Sequence, residues 1–326
     1  MRAVLPEAGE GAGAPEPRLG EVPEPGLGAS EVLVRVRAAG LNRADLLQLR
    51  GLYPPPPGES SVPGLECAGT VVRTGDEVTR WSAGDRVMAL VAGGGQAELA
   101  AVPEGQLMAL PGRLTFEQGA ALPEACLTAW TNLVAEGGLE AGETVLVTGA
   151  NGGVGTMAVQ VAHELGARVL AAGRSLDRLE PLAALGADGF LVDDGGLPEA
   201  VRDRTRGRGV DLVFDLVGGE RMAAHLGALR NQGRLVLIGL MAGQRASLDL
   251  GEILRRRLVL RGSVLRARSR PEKAELVAAF AEFAAPRLAD GRIRPVLEQT
   301  LPCDRVAEAY RRLEAGGVTG KLVLSW

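Results

Sequence analysis

The residues best suited to carry chemistry lie in one glycine-rich stretch near the middle of the chain. The run TVLVTG, at positions 144 to 149, is apolar and predicts a buried strand. The next six residues match the pattern G-x-G-x-x-G with alanine for the first glycine: Ala150, Asn151, Gly152, Gly153, Val154 and Gly155. Such glycines permit a tight turn and let the backbone approach a pyrophosphate, while the following helix directs its N–H groups at the phosphates. The sequence therefore predicts a dinucleotide site, and a Walker loop is excluded because no Gly-Lys-Ser/Thr follows.

The end of the next strand bears on which dinucleotide binds. The strand ARVLAAG leads into Gly173, Arg174 and Ser175, with Arg178 one turn further on. An Asp or Glu there would bind the ribose hydroxyls of NAD, whereas a guanidinium and a hydroxyl suit the 2′-phosphate of NADP. The carboxylates of Asp193 and Asp194, after the third strand, would oppose a 2′-phosphate. The residues favour NADPH and leave NADH open; the alternative for Arg174 is a solvated surface position.

The elements that must position this loop alternate between strands and helices from about residue 124. Apolar runs such as TVLVTG and GFLVD predict strands, and the segments 152–166, 175–186 and 220–230 predict helices between them. This alternation implies a parallel, doubly wound sheet of the Rossmann kind, so the fold class is α/β. The first 120 residues instead hold short strands such as EVLVRVRAAG between glycine and proline turns, which predicts a small barrel or sandwich. A long amphipathic helix is predicted from 271 to about 290.

Composition and charge exclude several classes of function. With 36 basic and 40 acidic residues, the net charge of −4 offers no electrostatic footprint for a nucleic acid or an anionic membrane. No apolar run reaches the roughly 18 residues needed to span a bilayer. Three separated cysteines, with no segment resembling a signal peptide, favour a reducing cytoplasm. A chain of 326 residues is long enough for two domains.

Several segments, in order and over nearly the whole length, resemble the medium-chain dehydrogenase/reductase superfamily, and within it the zinc-free quinone oxidoreductases of the ζ-crystallin and inducible types. These segments are AAGLNRADLLQLRGLYPPPPG, VPGLECAGTVV, GANGGVGTMAVQVA, FDLVGG, GRLVLIGL, LRGSVLRARSRPEK and GKLVL. The resemblance implies a GroES-like β-barrel catalytic domain at residues 1–123, completed by 266–326, and a Rossmann domain at 124–265. It also implies an active site in the cleft between the domains, and a homodimer with a tetramer as the alternative.

The zinc alcohol dehydrogenases of the same superfamily provide a contrast. Their catalytic metal takes a cysteine near the position of Asn42 and a histidine in a G-H-E segment, which here reads Gly64-Leu65-Glu66. The two histidines, His163 and His225, fall on predicted helices of the nucleotide-binding part. A tetrahedral zinc site cannot be assembled from these residues at the family positions, so no metal is expected.

The resemblance also implies which residues form the site. Asn42 would hydrogen-bond the acceptor oxygen or the cofactor ribose, Tyr53 would donate to the acceptor from the wall of the cleft, and Thr128 would touch the nicotinamide. The positions implied to line the nicotinamide, its ribose and a phosphate are Val217, Gly239, Leu240, Leu265, Arg266 and Lys321. Structural alternatives are a helix N-cap for Asn42, packing on the prolines for Tyr53, and a hydroxyl bonded to its own backbone for Thr128. For Lys321 the alternative is a solvated strand end.

Without zinc, a substrate that accepts hydride readily is favoured, because the incoming charge spreads over a conjugated oxygen. The sequence therefore predicts hydride transfer from NADPH to a quinone, with the cofactor providing the chemistry and the protein the orientation. An alkenal or enoyl reductase is the first alternative, with Tyr53 as proton donor. The second is a non-catalytic, crystallin-like NADPH- or RNA-binding protein, which the acidic composition disfavours.

Overall fold

The chain forms two compact units, seen in a computed structural model that describes residues 1–7 and 16–326. Unit 1 comprises Met1–Leu127 and Leu265–Trp326, and unit 2 comprises Thr128–Val264. In both units the predicted strands and helices are largely present. None of the helices in the described ranges has the length and apolar character needed to cross a membrane.

Unit 1 is built mainly from antiparallel strands. Its strands are β1 Arg2–Glu7, β2 Glu16–Glu21, β3 Glu31–Gly40, β4 Glu66–Thr74, β5 Arg86–Leu90, β6 Leu99–Pro103, β7 Leu107–Ala109, β14 Leu297–Pro302 and β15 Lys321–Ser325. Its helices are α1 Arg43–Leu49, α2 Phe116–Ala120, α8 Arg270–Asp290 and α9 Val306–Ala315, and α3 Pro123–Trp130 continues into unit 2. The main sheet has the order β14-β15-β3-β4-β5-β7, with β6 also paired to β3. The carboxyl-terminal strand β15 thus lies beside β3.

The strand β3 shows why this sheet forms. Val32, Val34 and Val36 are buried while Arg35 and Arg37 point to solvent, the period of two expected for a half-buried strand. Antiparallel partners β4 and β6 flank β3, and the valines pack into one apolar core with residues of β4, β5 and β6. Burial of these β-branched side chains stabilises the sheet that holds the polar groups described below.

Unit 2 is a parallel sheet covered by helices. Its strands are β8 Thr144–Val147, β9 Arg168–Gly173, β10 Gly189–Val192, β11 Val210–Asp215, β12 Leu229–Leu237 and β13 Val259–Gly262. Its helices are α4 Gly153–Glu164, α5 Leu197–Arg204, α6 Met222–Ala228 and α7 Leu250–Arg256. The strand order is β10-β9-β8-β11-β12-β13, and each neighbouring pair is parallel. Counted within the unit this is the doubly wound order 3-2-1-4-5-6, so the predicted Rossmann fold is confirmed.

The order of the strands reverses between β8 and β11. In an open parallel sheet a ligand binds outside the carboxyl ends of the strands at this switch point. Strands β8 and β11 consist entirely of buried residues, and Leu146, Val213 and Leu235 belong to a core shared with α5 and α6. A rigid sheet therefore presents the loops after β8 and β11 side by side.

One predicted helix differs in the structure. The segment 175–186, predicted to be a helix, contains two 3₁₀ segments instead, Leu176–Arg178 and Glu180–Leu185. Pro181 explains the difference, because proline lacks an N–H and disfavours the α conformation of the residue before it. By contrast, the long helix predicted from 271 is present as α8.

Candidate functional site

The glycine loop after β8 combines a tightly packed turn with free space at the start of α4. Gly149 has φ +59°, a left-handed conformation that favours glycine. A Cβ on Gly155 would lie 2.5 Å from the carbonyl oxygen of Gly149, so the turn and the helix touch at a point where a side chain does not fit. Gly152 caps α4 with no side-chain hydrogen bond to the first turn. The N–H groups in the first turn of α4 therefore receive no side-chain hydrogen bond from Gly152.

This geometry fits a dinucleotide pyrophosphate. A Cβ added to Gly152 would meet its nearest protein atom, the carbonyl oxygen of Gly149, only at 3.5 Å. The protein therefore tolerates a methyl group at Gly152, while glycine leaves the backbone accessible to a ligand. The positive end of a twelve-residue helix faces the same region and favours anionic oxygen atoms.

The end of β9 presents the predicted selectivity residues next to this loop. Gly173 is the last residue of β9, and a Cβ there would lie 3.2 Å from Leu179 and 3.5 Å from the amide oxygen of Asn151. Arg174 and Arg178 are exposed, and Ser175 is partly buried where the first 3₁₀ segment begins. The structure thus brings Gly173 close to the glycine loop and leaves the two guanidinium groups in solvent.

The loops after β11 and β12 pack against each other. The N–H groups of Val217 and Gly218 donate to Oδ1 of Asp215, over 2.8 and 3.1 Å. A Cβ on Gly239 would lie 2.4 Å from the carbonyl oxygen of Leu216, so glycine is required for the two loops to approach. Leu240 follows with 48% of its surface exposed. The predicted nicotinamide positions Val217, Gly239 and Leu240 therefore lie together at one edge of the sheet.

A buried ionic group, which we term the histidine triad, lies beneath these loops and consists of Asp193, His225 and Asp215. Nδ1 of His225 is 3.0 Å from Oδ2 of Asp215, and Nε2 is 3.2 Å from Oδ1 of Asp193. Burial lowers the histidine pKa, but the hydrogen bonds and charges of the two carboxylates outweigh it and raise this pKa to about 9. The imidazole ring is therefore a cation at neutral pH.

The role of Asp193 in the histidine triad differs from the role that the sequence predicted for it. The sequence placed Asp193 and Asp194 as two carboxylates opposing a 2′-phosphate. In the structure Asp193 is buried and its carboxylate faces His225, whereas Asp194 is exposed and accepts the N–H of Gly196 over 2.8 Å. The charge of Asp193 is thus compensated within unit 2.

In unit 1, Asn42 and Lys321 meet across 279 positions of sequence. The ammonium of Lys321 donates to Oδ1 of Asn42 over 2.6 Å and forms an ion pair with Glu66. Nδ2 of Asn42 donates to the same Glu66 carboxylate over 3.0 Å. Asn42 is also the N-cap residue of α1, as its structural alternative predicted. Lys321 is only 5% exposed, so the alternative of a solvated strand end is wrong, and its predicted phosphate contact stays a prediction.

Two further carboxyl groups complete what we term the carboxylate cluster: Asp45, Glu66, Glu124 and Lys321. Burial raises the pKa of Asp45 to about 6, although the N–H of Asn42 and the charge of Lys321 act against it. Burial and the charge of Glu66 raise the pKa of Glu124 to about 8. Glu124 therefore carries a proton at neutral pH. Its main-chain N–H donates to Oε2 of Glu66 over 2.9 Å.

Tyr53 and its prolines are held by Arg266. The guanidinium donates to the carbonyl oxygen of Tyr53 over 2.9 Å, to that of Ala92 over 2.8 Å and to Oε1 of Gln48 over 2.6 Å. Its central carbon lies 5.1 Å from the centre of the Tyr53 ring, a cation–π contact. Burial and the charge of Glu124 raise the pKa of the Tyr53 phenol. Arg266, predicted to line the cofactor, thus fixes the position of the Tyr53 loop in unit 1, and a cofactor contact stays a prediction.

Two of the predicted site residues are buried. Leu265 and Thr128 are buried, and the carbonyl of Thr128 accepts a hydrogen bond from the side-chain amide of Asn132 over 2.8 Å.

Sequence reasoning did not identify Glu66, Asp45, Glu124 or the pairing of His225 as site features. The available signal was a charged residue inside an apolar segment, as for Glu66 in VPGLECAGTVV and His225 in RMAAHLGAL.

Cysteine, histidine and carboxylate side chains are the potential metal ligands of this chain. Within residues 1–7 and 16–326, no cluster of three or more His, Cys, Asp or Glu side chains is arranged to hold a metal ion. The three cysteines are unpaired and buried. Burial raises the pKa of Cys67 to about 12, so this thiol stays protonated at neutral pH.

Two family models match the chain. The alcohol dehydrogenase GroES-like domain matches residues 28–112, and the zinc-binding dehydrogenase model matches residues 153–282. The first match lies in unit 1, and the second covers most of unit 2 and the start of the carboxyl-terminal part of unit 1.

Whole-length relatives agree with these models. The quinone oxidoreductase-like protein 2 homolog of Nematostella vectensis is 30% identical over 92% of this chain and 82% of its own length. The quinone oxidoreductase of Thermus thermophilus, solved also in complex with NADPH, is 35% identical with a TM-score of 0.81 over 100% of both chains. The structure of the CurK enoyl reductase is 27% identical with a TM-score of 0.82 over 95% of both chains. The likeness thus extends over the complete architecture.

Proposed function

The chain belongs to the medium-chain dehydrogenase/reductase superfamily and to its quinone oxidoreductase type, and on that premise we propose that it transfers a hydride from NADPH to a quinone without zinc. An oxidoreductase at the family level follows from membership. The choice of quinone, of NADPH over NADH and of zinc-independent chemistry is our proposal. It rests on the contacts described above.

The observation that carries the proposal is the glycine loop at the switch point of unit 2. Gly155 makes the backbone contact that joins turn and helix, while Gly152 leaves the first turn of α4 accessible. A bound dinucleotide provides the hydride. The residues of this loop would hold and orient its phosphates through backbone N–H groups and the helix dipole.

The preference for NADPH is supported by charge. The exposed guanidinium groups of Arg174 and Arg178 and the hydroxyl of Ser175 follow β9, where the adenosine ribose is bound in this fold. Asp193, which would oppose a 2′-phosphate, is paired with His225. A 2′-phosphate would therefore meet positive charge from the end of β9.

The acceptor side is supported by unit 1. Lys321 places an ammonium against Asn42 and Glu66, at the positions where zinc relatives carry metal ligands or their neighbours. A quinone needs no Lewis acid, since the two added electrons spread over a conjugated dioxygen system. Asn42 and Tyr53 are the groups we propose to bind the acceptor oxygen, and Arg266 keeps the Tyr53 loop in place.

A second candidate is the reduction of an activated C=C bond in an alkenal or enoyl substrate. Two observations favour it: the similarity to the CurK enoyl reductase, and the protonated carboxyl of Glu124, which offers a proton source near neutral pH. Purified protein with NADPH and either 1,4-benzoquinone or a 2-alkenal, followed at the nicotinamide absorbance, separates the two. Consumption of the alkenal alone would exclude the quinone.

A glycine substitution tests the nucleotide site. We expect Gly152→Ala to keep the melting temperature, because the new methyl meets no protein atom closer than 3.5 Å. We expect it to weaken NADPH binding at least tenfold, measured by nucleotide fluorescence, because the methyl would meet the pyrophosphate. Gly112→Ala, where an added Cβ meets nothing within 4 Å, is the control. Unchanged NADPH affinity in Gly152→Ala would contradict the site.

An arginine substitution tests the choice of cofactor. Arg174→Ala should lower NADPH affinity about tenfold and leave NADH affinity nearly unchanged, since only NADPH carries the 2′-phosphate. Arg168→Ala, at the opposite end of β9, is the matched control. An unaltered ratio of the two dissociation constants in Arg174→Ala would remove Arg174 from the phosphate site.

A homodimer is part of the proposal, and β13 supports it. This strand is at the edge of the unit 2 sheet, and Val259 and Leu260 are 49% and 36% exposed. An edge strand with apolar side chains and unpaired N–H and C=O groups can pair with a second copy of itself. Sedimentation of Leu260→Glu should show a monomer, with Leu52→Glu, at another exposed leucine, as the control. The cytoplasmic location stays a prediction.

A further inference from the structure

The histidine triad joins the loops at the carboxyl edge of the unit 2 sheet. The main-chain N–H of Asp193, after β10, donates to the carbonyl oxygen of Gly173, the last residue of β9, over 2.8 Å. Asp215, the last residue of β11, accepts the hydroxyl of Thr148, after β8, over 3.1 Å. His225 on α6 bonds both carboxylates and so connects these loops.

The position of Asp193 is important because of its neighbour in the sheet. Parallel pairing places Val192 beside Gly173, and the chain continues from these two residues into Asp193 and Arg174. Arg174 is the residue proposed to receive the 2′-phosphate of NADPH. A carboxylate here can either turn toward the ribose or, as in the structure, turn inward to His225.

The two carboxylates differ in their other partners. Besides its contact with His225, Asp215 accepts hydrogen bonds from the hydroxyl of Thr148 and from the N–H groups of Val217 and Gly218. Burial by itself would raise the pKa of Asp215. The hydrogen bond and charge of His225, and then the N–H groups of Val217 and Gly218, lower this pKa below its usual value. Asp193 is linked to the ring by a single hydrogen bond of 3.2 Å. Loss of the positive ring would therefore affect Asp193 more.

We propose that His225 is a positioning residue for cofactor selectivity: its imidazolium holds the Asp193 carboxylate inside unit 2, away from the site of the 2′-phosphate. This inference rests on the proposed use of a nicotinamide dinucleotide. It makes the discrimination between NADPH and NADH depend on a residue that need not touch either. The ionisable groups that face the ring are Asp193, after β10, and Asp215, at the end of β11.

The physical reason is Coulombic. Without the imidazolium, an Asp193 carboxylate would be buried with no compensating charge, which is strongly unfavourable, and turning outward would relieve it. A negative charge several ångströms from a 2′-phosphate weakens binding of NADPH by about tenfold at a surface dielectric, and NADH, which lacks that phosphate, much less. The ratio of the two affinities therefore reports on the orientation of Asp193.

The first experiment measures dissociation constants of NADPH and NADH by nucleotide fluorescence, with no acceptor present. His225→Asn should shift the NADPH to NADH affinity ratio about tenfold toward NADH. Asp193→Asn should not shift it toward NADH, and the double variant His225→Asn with Asp193→Asn should restore the wild-type ratio. His163→Asn, at the chain's other histidine, which is exposed on α4, is the matched control.

The outcomes separate two failures. If the wild-type protein binds neither nucleotide, the proposed function fails. If the wild type binds NADPH and the ratio in His225→Asn is unchanged, or if the double variant does not restore it, the role of His225 is wrong. If His225→Asn does not fold, the single variant Asp193→Asn and the pH experiment still test the role of His225.

The second experiment uses pH. Since the pKa of His225 is about 9, the ring loses its charge between about pH 8 and 10. The NADPH to NADH affinity ratio of the wild type should fall over this range, and that of Asp193→Asn should stay constant. A fall of equal size in Asp193→Asn would overturn the proposal, because no Asp193 carboxylate is then present to move.

Discussion

Both the carboxylate cluster of unit 1 and the histidine triad of unit 2 hold buried acidic groups, but the pKa of an acid is raised in the first and lowered in the second. In the first, the carboxyl pKa values are raised, to about 6 for Asp45 and about 8 for Glu124. In the second, the pKa of Asp215 is lowered and that of His225 is raised to about 9. Burial raises the pKa of the carboxyl groups in both sites and lowers that of His225, so it cannot explain why the pKa of Asp215 is lowered and that of His225 raised.

The difference comes from partners. In the carboxylate cluster one ammonium, that of Lys321, acts on three acidic groups, and its ion pair is with Glu66. In the histidine triad one imidazolium acts on two carboxylates, and the N–H groups of Val217 and Gly218 and the hydroxyl of Thr148 also donate to Asp215. Asp45 also accepts three hydrogen bonds, so the number of donors does not separate the two sites. The ratio of cationic groups to carboxylates does, and the carboxylates of unit 1 also raise one another's pKa. Unit 1 keeps a protonated acid, and unit 2 keeps a fixed ionic link.

The largest effect is expected from Lys321→Met. Removing the ammonium leaves the fully buried Glu66 without its ion-pair partner, which should lower the free energy of unfolding by about 3–5 kcal/mol. Urea unfolding at pH 7 measures it, and Glu66→Gln in the same chain should recover most of the loss. No recovery in the Glu66→Gln background would show that Lys321 stabilises by packing alone.

The next effect concerns the histidine triad and depends on pH. A histidine pKa raised from 6.5 to about 9 contributes stability that is complete below about pH 6.5 and lost as pH rises through 9. His225→Asn should therefore cost up to about 3 kcal/mol of unfolding free energy at pH 6 and much less at pH 10. His163→Asn, at an exposed position of α4, is the matched control. A cost for His225→Asn that is constant from pH 6 to 10 would contradict the imidazolium.

A smaller effect is expected from Asp45→Asn. Oδ2 of Asp45 accepts the N–H of Asn42 over 2.8 Å and Nε2 of Gln96 over 3.2 Å, and Oδ1 accepts the N–H of Gly64 over 3.2 Å. An amide would direct its own N–H atoms at one of these donors, which should cost about 1–3 kcal/mol in urea unfolding. Asp290→Asn, on the surface, should change the unfolding free energy by less than about 0.5 kcal/mol.

The smallest effect is a gain in stability. With a carboxyl pKa raised to about 8, Glu124 reduces folding stability as pH rises from about 4.5 through 8, because the folded chain must release a proton that it binds more tightly. Glu124→Gln should thus be equal to wild type at pH 4 and more stable at pH 9. The gain should be about 1–2 kcal/mol rather than the roughly 5 kcal/mol of the full pKa difference, because Glu124 is only partly buried and water screens its charge. Glu21→Gln, exposed on β2, serves as comparison. Lower stability of Glu124→Gln at pH 9 would mean that the carboxylate is favoured.

Local patterns allowed much of the fold to be predicted. The period of two in EVLVRVRAAG indicated β3, and the alternation of apolar runs and helical segments indicated the parallel sheet of unit 2. These signals work because they depend on neighbouring residues of one element. The helix predicted at 175–186 failed for a local reason as well, since Pro181 interrupts the α-helical hydrogen bonds.

The site was predicted unevenly for a related reason. The glycine loop is contiguous, and the backbone at Gly149 and Gly155 requires glycine for local reasons that the sequence pattern reveals. The resemblance indicated Asn42, Tyr53 and Lys321, but not that Lys321 bonds Asn42 or that Arg266 holds Tyr53, contacts that span 279 and 213 positions. Nothing in a one-dimensional pattern specifies such pairs.

The sequence by itself determined the class of fold, the position of the glycine loop and the residue types available for chemistry, because these depend on local conformation and composition. Only the tertiary structure decided the charge states: which carboxyl keeps a proton, and that Asp193 faces His225 rather than the end of β9. Charge states depend on distances between groups far apart in the chain and on their removal from water, and both exist only after folding.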